Sequence, residues 1–307
     1  MKTYRVKHVD AFTTHAFAGN PAGVVVEAKG LSETEMQMLA REKNLPETAF
    51  VLPPTTKGAD LQIRWFTPAT EVALCGHATI ASFHALAEEG MEGMSTQGQH
   101  YFKLQTKSGI LSIRVEKNFQ GTTVEFELPL PEFRVKKSVP ADLMKALGLR
   151  SSDLDKRMPI ATEADLFIPL KSLKKLQSLR PDLNSVKKAS LREKWRGICL
   201  LTLETVEKTS AVHSRFFAPA VGVDEDPVTG SANGPLGAYL CKFVIPKGIA
   251  LVSRDLPDGR VEFIGEQGFV LDRPGHVKIR VGCEGGKVRT LSIAGEAVTI
   301  MNSIVTF

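Results

Sequence analysis

The chain has 307 residues and a formal net charge of +5, with 43% hydrophobic and 24% charged residues. This length suits two domains of ordinary size, and the composition excludes disordered, collagen-like and coiled-coil proteins. No apolar run approaches the roughly 20 residues of a bilayer span, so we expect no membrane partner. The start lacks an apolar signal segment. The cysteines Cys75, Cys199, Cys241 and Cys283 lack CxxC spacing, which favours a cytoplasmic location.

The predicted secondary structure consists of short strands and a few helices. The predicted strands are Val6–Phe12, Ala22–Glu27, Ala49–Leu52, Leu61–Phe66, Tyr101–Gln105, Ile110–Val115 and Thr123–Leu128. Several of them alternate apolar and polar residues, as half-buried antiparallel strands do. A helix is predicted over Ser32–Lys43, because Ser32 and Glu35 have the spacing of a capping box and Met36 and Leu39 share an apolar face.

Two further segments predict buried helices. Ala78–Leu86 and Ala232–Phe243 consist almost wholly of small or apolar residues, and a helix that is apolar on most sides is buried. The residues around them echo each other, with Phe66 and Phe217 151 residues apart and Gly76 and Gly230 154 apart, and downstream Ser108–Val115 is loosely similar to Pro274–Val281. Chance explains a single echo, but three in the same order favour an internal duplication. We therefore expect two similar α+β domains, each a mixed sheet or barrel wrapped around one buried central helix.

The net positive charge is concentrated in one stretch. Residues 131–197 contain 16 Lys and Arg but 8 Asp and Glu, a surplus larger than that of the whole chain. A nucleic-acid-binding surface would place such residues on one face with aromatic residues between them. Here they are scattered among Leu, Val and Ser, so we interpret the stretch as a solvated helical face and expect no nucleic-acid partner.

Both predicted buried helices follow a glycine, Gly76 or Gly230. A helix N-terminus offers free N–H groups and a partial positive charge, and glycine lets a ligand approach the backbone closely. Two such turns facing each other across a domain cleft would hold a small carboxylate from both sides. Tight helix packing is the alternative explanation for each glycine alone.

Three side chains near these turns are candidates for chemistry. His77 stands at the start of the first buried helix, where it faces either a ligand or the protein interior. Asp226 lies five residues before Ser231, and its ordinary role would be to cap the loop or the helix. Glu47 precedes an apolar strand, where a charged residue is often only exposed.

Motifs of several other chemistries are absent from the sequence. It contains no GxxxxGK[ST] phosphate loop, no HExxH, no GxSxG and no convincing GxGxxG after a strand. The cysteines and histidines lack metal-ligand spacing. We therefore expect no metal and no cofactor.

Seven separated motifs, spread over residues 9 to 275, carry a resemblance to a known family. They are Val9-Asp10-Ala11-Phe12, Gly19-Asn20-Pro21-Ala22, Pro46-Glu47-Thr48-Ala49-Phe50, Phe66-Thr67-Pro68, Gly76-His77-Ala78, Asp226-Pro227-Val228-Thr229-Gly230-Ser231-Ala232, and Gln267-Gly268 with Arg273-Pro274. Together they resemble the phenazine-biosynthesis (PhzF-type) isomerases, which have the diaminopimelate-epimerase-like fold. The stretch from about 135 to 210 carries little of this signal.

The resemblance implies an isomerase without a cofactor, built from two similar domains with the active site in the cleft between them. The first domain would comprise residues 1–130, completed by a strand within 290–307, and the second would comprise residues 131–289. Homodimers are usual in the family.

The resemblance also implies roles for individual residues. Glu47 acts as the general acid/base, while His77 and Asp226 bind substrate and manage protons. The substrate-binding residues are Asn20, Gly76, Gly230 and Ser231, with backbone amides at the helix starts holding the carboxylate. Family members usually have Ser before the Glu, whereas this chain has Pro46, which removes a hydroxyl and a backbone donor but leaves the Glu47 carboxylate intact.

Cysteine separates two branches of this fold. Related racemases and epimerases have a Cys at both duplicated turns, so that one group removes a proton and the other returns one on the opposite face. This chain has Cys75 at the first turn but Thr229 at the second, and a Thr hydroxyl is too weak an acid for that role. Cys75 is then either a remnant or a small packing residue.

These observations favour an isomerase that moves a proton, and with it a double bond, on a small cyclic or unsaturated carboxylic acid. The resemblance includes acids of dihydrohydroxyanthranilate type among the candidate substrates. We expect Glu47 to have a raised pKa, from a dry cleft or from Asp226 nearby. Two alternatives stay open. One is an amino-acid or hydroxy-acid racemase or epimerase that uses Cys75 with a non-thiol partner, and the other is a small-carboxylate-binding protein without turnover.

Overall fold

The computed structural model of the chain describes residues 2–284 and 287–307. These residues form two compact units. The first unit comprises the residues through Glu127 together with Ile293–Phe307, and the second comprises Leu128–Ser292. Within the described ranges, every helix is too short or too polar to cross a membrane.

Among the described residues, the first unit contains two helices, nine whole strands and the end of a tenth. Its helices are α1 (Glu33–Lys43) and α2 (Gly76–Glu88), and its strands are β1 (Thr3–Ala11), β2 (Asn20–Val25), β3 (Glu47–Leu52), β4 (Leu61–Phe66), β5 (Glu71–Val72), β6 (Gly98–Thr106), β7 (Gly109–Asn118), β8 (Gly121–Glu127) and the C-terminal strand Ala297–Thr306. The predicted capping box begins α1: the Ser32 hydroxyl accepts from the Glu35 amide, and the Glu35 carboxylate accepts from the Ser32 amide.

The second unit contains the remaining elements. Its helices are α3 (Ala141–Ala146), α4 (Leu173–Ser178), α5 (Leu183–Glu193) and α6 (Gly230–Tyr239). Its strands are β9 (Arg134–Lys136), β10 (Ile160–Thr162), β11 (Leu166–Pro169), β12 (Ile198–Thr202), β13 (Val212–Ala218), β14 (Val223–Asp226), β15 (Arg254–Asp255), β16 (Val261–Gln267) and β17 (Gly275–Glu284), and β18 (Lys287–Gly295) begins in it.

The two units share one order of strand pairing. In the first unit, β1–β2 is antiparallel, β2–β3 parallel, β3–β4 and β4–β5 antiparallel, β4–β6 parallel and β6–β7 antiparallel. The second unit repeats this order with β10–β11, β11–β12, β12–β13, β13–β14, β13–β16 and β16–β17. In both, helices connect the first parallel pair and a buried helix follows the fifth strand of the repeat. The predicted α+β class is confirmed, and the repeated order supports the duplication.

The helices α2 and α6 are the buried helices predicted from their composition. In α6 every residue except Ser231 is buried, and in α2 every residue except Gly76, His84 and Glu88 is buried. Helix α2 packs against β1, β2, β3 and β8, and α6 packs against β16 and β17. Outside the core of its unit, α6 therefore presents only Ser231 in its first turn, and α2 presents only Gly76, His84 and Glu88.

The basic stretch forms surface helices, as predicted. In α4 and α5 the apolar residues Leu176 and Val186 are buried, while Lys174, Lys187 and Lys188 are exposed. The prediction of a solvated face is confirmed for these two helices. Arg196, which follows them, is an exception considered below.

Candidate active site

Asn20 and Glu47 lie at the N-terminal ends of two neighbouring parallel strands in the first unit's sheet. Asn20 is the first residue of β2 and is fully buried, and Glu47 is the first residue of β3. The parallel register pairs Ala22 with Glu47. This pairing also explains why β3 begins two residues before the predicted strand at Ala49: main-chain pairing with β2 extends regular structure to Glu47.

Three side chains meet where α2 begins, in a cluster that we call the acid/base cluster (Glu47, Cys75 and His77). The Nε2 atom of His77 lies 3.2 Å from Oε2 of Glu47, and the Sγ atom of Cys75 lies 3.5 Å from Nδ1 of His77. Cys75 is buried, and the side chains of His77 and Glu47 are 9% and 18% exposed. The imidazole therefore links a thiol to a carboxylate at the edge of the core. The structure brings Cys75 into contact with His77, whereas the sequence predicted for it either a packing role or, in the racemase alternative, a catalytic one.

The charge states in this cluster follow from burial and pairing. Burial would raise the pKa of Glu47, but the positive charge of His77 and hydrogen bonds from His77 and Cys75 outweigh it and lower this pKa below its ordinary value. The expected raised pKa of Glu47 is therefore wrong, because a neighbouring cation overrides desolvation.

The pKa values of His77 and Cys75, the two partners of Glu47, also shift, and their directions preserve the pairing of His77 with Glu47. Burial opposes charge on His77, but Cys75 and Glu47 raise the pKa of His77 well above its usual value. Burial, reinforced by the Glu47 charge, raises the pKa of the Cys75 thiol. These directions favour an ion pair between the His77 imidazolium and the Glu47 carboxylate.

The same three residues offer a donor set for a metal ion. One oxygen, one sulfur and one nitrogen atom all lie within 4.8 Å of one another. Thiolate, imidazole and carboxylate ligands in threes suit Zn²⁺ with an open fourth position. Such binding would need the proton to leave Cys75 and His77, and it would remove the Glu47 carboxylate from proton transfer.

In the second unit, Asp226, Gly230 and Ser231 lie around the start of α6. Asp226 ends β14, and Gly230 and Ser231 are the first two residues of the helix. The Thr229 hydroxyl donates to Oδ2 of Asp226 at 2.5 Å. The proton of Thr229 is therefore committed to a carboxylate of its own unit, which agrees with the expectation that Thr229 does not replace a catalytic thiol.

Gln267 holds this turn in place from the end of β16. Its Nε2 donates to the Asp226 carbonyl at 2.7 Å and to the Thr229 hydroxyl at 3.2 Å, and its Oε1 accepts from the Thr229 amide at 3.2 Å and from Nδ2 of Asn233 at 2.9 Å. Gly268 follows with φ +89°, where a Cβ would collide with the carbonyl oxygens of Arg273 and Pro227. The Gln-Gly motif thus builds the turn.

The helices differ in whether a side chain caps their first turn. The side chains of Ser32, Ser172 and Asp182 accept hydrogen bonds at the starts of α1, α4 and α5. Within the described residues, α2 and α6 begin without such a side-chain cap, at Cys75 and Thr229, as does the short surface helix α3 at Pro140. First-turn N–H groups at α2 and α6 therefore keep their capacity to bind an anion.

Sequence reasoning missed Arg196. Arg196 lies two residues before β12 in the sequence. In its guanidinium, Nη1 donates to the Ser231 hydroxyl at 2.8 Å and Nε donates to Asp165 at 2.9 Å. Its position in the basic stretch predicted a solvated residue. Pro235, four residues after Ser231, was the available signal: it removes the helical donor to the Ser231 carbonyl, so that another group must serve there.

Comparisons of the sequence and the structure with known proteins point to one family. A family model described as phenazine biosynthesis-like protein (PhzC-PhzF) matches residues 9–303. An uncharacterized isomerase of Clostridium acetobutylicum is 34% identical over 309 residues, covering 99% of this chain and 98% of that protein. A crystal structure of a PhzF-family phenazine biosynthesis protein from Bacillus anthracis is 33% identical, with a TM-score of 0.85 and complete coverage of both chains.

A more distant structure shares the fold. A probable proline racemase from Agrobacterium radiobacter is 13% identical, with a TM-score of 0.62, covering 99% of this chain and 93% of that one. The isomerase relatives identify the chain as an enzyme of that class and disfavour the alternative of a binding protein without turnover. The chain belongs to the PhzC-PhzF family of phenazine biosynthesis-like proteins.

Proposed function

We propose that this isomerase moves a proton between two carbons of a small cyclic or unsaturated carboxylic acid, without a cofactor, and that Glu47 carries the proton. The observation that carries the proposal is the acid/base cluster, in which a nearly buried carboxylate lies 3.2 Å from a buried imidazole at the start of an uncapped helix. The lowered pKa keeps Glu47 ionised at neutral pH, which is the state that a base requires.

The step needs no other reagent. The Glu47 carboxylate takes a proton from an sp³ carbon next to the unsaturated system, and the electron pair of that C–H bond enters the conjugated system. The Glu47 carboxylic acid then returns the proton to a different carbon, so that the double bond shifts and no atom is gained or lost. His77, as imidazolium, donates a hydrogen bond that orients Glu47 between these two steps.

The substrate carboxylate would be held by backbone amides at the helix starts, near Gly76, Gly230 and Ser231. The missing side-chain caps of α2 and α6 support this role, since those N–H groups carry the positive end of the helix dipole. Asn20 and Asp226 are the other proposed substrate-binding residues.

The test is transfer of solvent deuterium to a dihydrohydroxyanthranilate-type acid in D₂O, followed by NMR. Glu47→Gln keeps the shape of the side chain and removes the proton carrier, so we expect incorporation to fall by about 10²–10⁴-fold. Glu42→Gln, on the exposed face of α1, is the matched control and should match the parent. Incorporation by Glu47→Gln at the parent rate would contradict the assignment.

A second candidate function is favoured by one contact. Because Cys75 lies 3.5 Å from His77, a thiol is present at the first turn and could serve as one of the two acid/base groups of an amino-acid or hydroxy-acid racemase, with a non-thiol partner on the opposite face. This alternative predicts that Cys75→Ser abolishes turnover and that the product is the mirror-image acid. Chiral chromatography of the products separates the two functions.

We also propose a cytoplasmic homodimer, from the family resemblance and the reduced cysteines. All four cysteines are free. Sedimentation equilibrium of the purified chain tests the dimer, and a mass of about one 33.5 kDa chain across micromolar concentrations would reject it.

A further inference from the structure

The duplicated topology gives each unit an equivalent contact at its buried helix. In the first unit, the second residue of α2, His77, contacts Glu47 at the start of β3. In the second unit, the second residue of α6, Ser231, contacts Arg196, which lies two residues before β12 begins. Both β3 and β12 are the second strand of a parallel pair. A cation thus lies near the start of this strand in the second unit, whereas the first unit has a carboxylate at the strand's first residue.

The Arg196 guanidinium contacts three groups: the Asp165 carboxylate, the ring of Phe216 and Ser231. Nε and Nη2 donate to the two oxygens of Asp165, whose side chain is fully buried. The guanidinium also stands over the ring of Phe216, with Cζ 5.5 Å from the centroid. Since the charge of Arg196 is balanced by Asp165, its effect on a ligand is one of orientation more than of net charge.

The contacts to Ser231 occupy its hydroxyl oxygen as an acceptor and leave the hydroxyl proton available to donate. Nη1 of Arg196 donates to Oγ of Ser231 at 2.8 Å, and Nη2 approaches its carbonyl oxygen at 3.4 Å, where Pro235 cannot donate. Among the described residues, the Ser231 hydroxyl has no protein acceptor for its own proton. Ser231 is also the one residue of α6 that is not buried. Its O–H group is therefore a fixed donor at the helix start.

We propose that Arg196 is a positioning residue that aims the Ser231 hydroxyl at the carboxylate of the substrate. The inference rests on the proposed function, because it takes the carboxylate-binding role of Ser231 from there. It adds that carboxylate recognition in the second unit depends on the chain Asp165–Arg196–Ser231, and that the enzyme prefers a carboxylate over a neutral amide of the same shape.

The probes are anthranilate, a stable aromatic counterpart of the proposed substrate, and anthranilamide, with binding measured by calorimetry. Arg196→Gln alone would leave the buried Asp165 charge without a partner, so Asp165→Asn/Arg196→Gln is the principal variant. Ser231→Ala removes the hydroxyl, and the triple variant combines both. Asp142→Asn/Arg192→Gln removes an exposed ion pair of the same type in the same unit and is the matched control.

We expect the principal variant and Ser231→Ala each to bind anthranilate about tenfold more weakly than the parent, with anthranilamide affinity within twofold. Because Arg196 acts through Ser231, the triple variant should bind as Ser231→Ala does. The control pair should bind both probes like the parent. If the principal variant fails to fold by circular dichroism, Arg196→Lys, which retains a cation beside Asp165, takes its place in the cycle.

Three results would overturn the inference: parental anthranilate affinity in the principal variant, additive losses of about a hundredfold in the triple variant, or no preference of the parent for anthranilate. The proposed function fails separately, through parental deuterium incorporation by Glu47→Gln. Lost incorporation in Glu47→Gln with unaltered binding in the principal variant would reject only the positioning role.

Discussion

The starts of α2 and α6 have the same position in the repeated topology but different chemistry. At α2, Glu47, Cys75 and His77 are all titratable and exchange hydrogen bonds among themselves. At α6, the Thr229 proton is committed to Asp226, and Ser231 is directed by Arg196. The two turns thus share a backbone position but differ in their side chains. In the proposed function, the first turn moves a proton and the second binds the ligand.

The largest effect on this contrast should come from His77→Gln, which removes the cation from the first turn. We expect deuterium incorporation to fall about 100-fold, since Glu47 loses its orienting partner. With His77 gone, burial is left to raise the pKa of Glu47, so the base form is lost at a higher pH than in the parent. The acid limb of the rate–pH profile should therefore move upward. An unmoved limb, with His100→Gln as control, would contradict the pairing.

Gln267→Ala breaks the second turn instead. It removes the side chain that joins Asp226, Thr229 and Asn233, and it leaves buried donors and acceptors unpaired. We expect a loss of about 2–3 kcal/mol in the free energy of unfolding and about tenfold weaker anthranilate binding. Denaturant titration and calorimetry measure these quantities, with Gln177→Ala in α4 as control. Weaker anthranilate binding by Glu47→Gln than by Gln267→Ala would contradict the proposal that the first turn transfers the proton and the second binds the ligand.

Cys75→Ser sharpens the comparison at the first turn. A hydroxyl can replace the thiol as hydrogen-bond partner of His77, so we expect deuterium incorporation to fall only about threefold. The measurement is the same exchange assay, with the exposed Cys283→Ser as control. Complete loss of turnover would favour the racemase alternative.

The smallest effect should come from metal removal. If the acid/base cluster works as a proton carrier, dialysis against EDTA leaves deuterium incorporation unchanged. Added Zn²⁺ should inhibit by binding Glu47, Cys75 and His77, and Cys75→Ser should weaken that inhibition. Activity that is lost with EDTA and restored by Zn²⁺ would contradict the cofactor-independent mechanism.

Local signals predicted some elements closely. The capping box at Ser32 and Glu35 and the apolar composition of α2 and α6 act within a few residues, so each can be identified from a short window. The start of β3 at Glu47 could not, because it depends on parallel pairing with β2, more than 20 residues earlier.

The candidate site was predicted unevenly for the same reason. Motifs identified Glu47 and His77, but the low pKa of Glu47 depends on a distance between residues 30 positions apart. Arg196 escaped notice because its partners, Asp165 and Ser231, lie 31 residues before it and 35 after it. Composition predicts that an arginine in a basic stretch is solvated. Only the fold shows that a buried carboxylate pairs with it.

The pairing of β1 with the C-terminal strand has a consequence for synthesis on the ribosome. Thr3 pairs with Thr306 and Ala11 with Ala297, so one edge of β1 has no native neighbour until the second unit has been translated. The second unit comprises residues up to Ser292 and does not include the C-terminal strand. It can therefore fold while the first unit waits with an open strand edge, a state that invites mispairing or chaperone binding. The first unit, which contains the proposed base, is translated first and completed last.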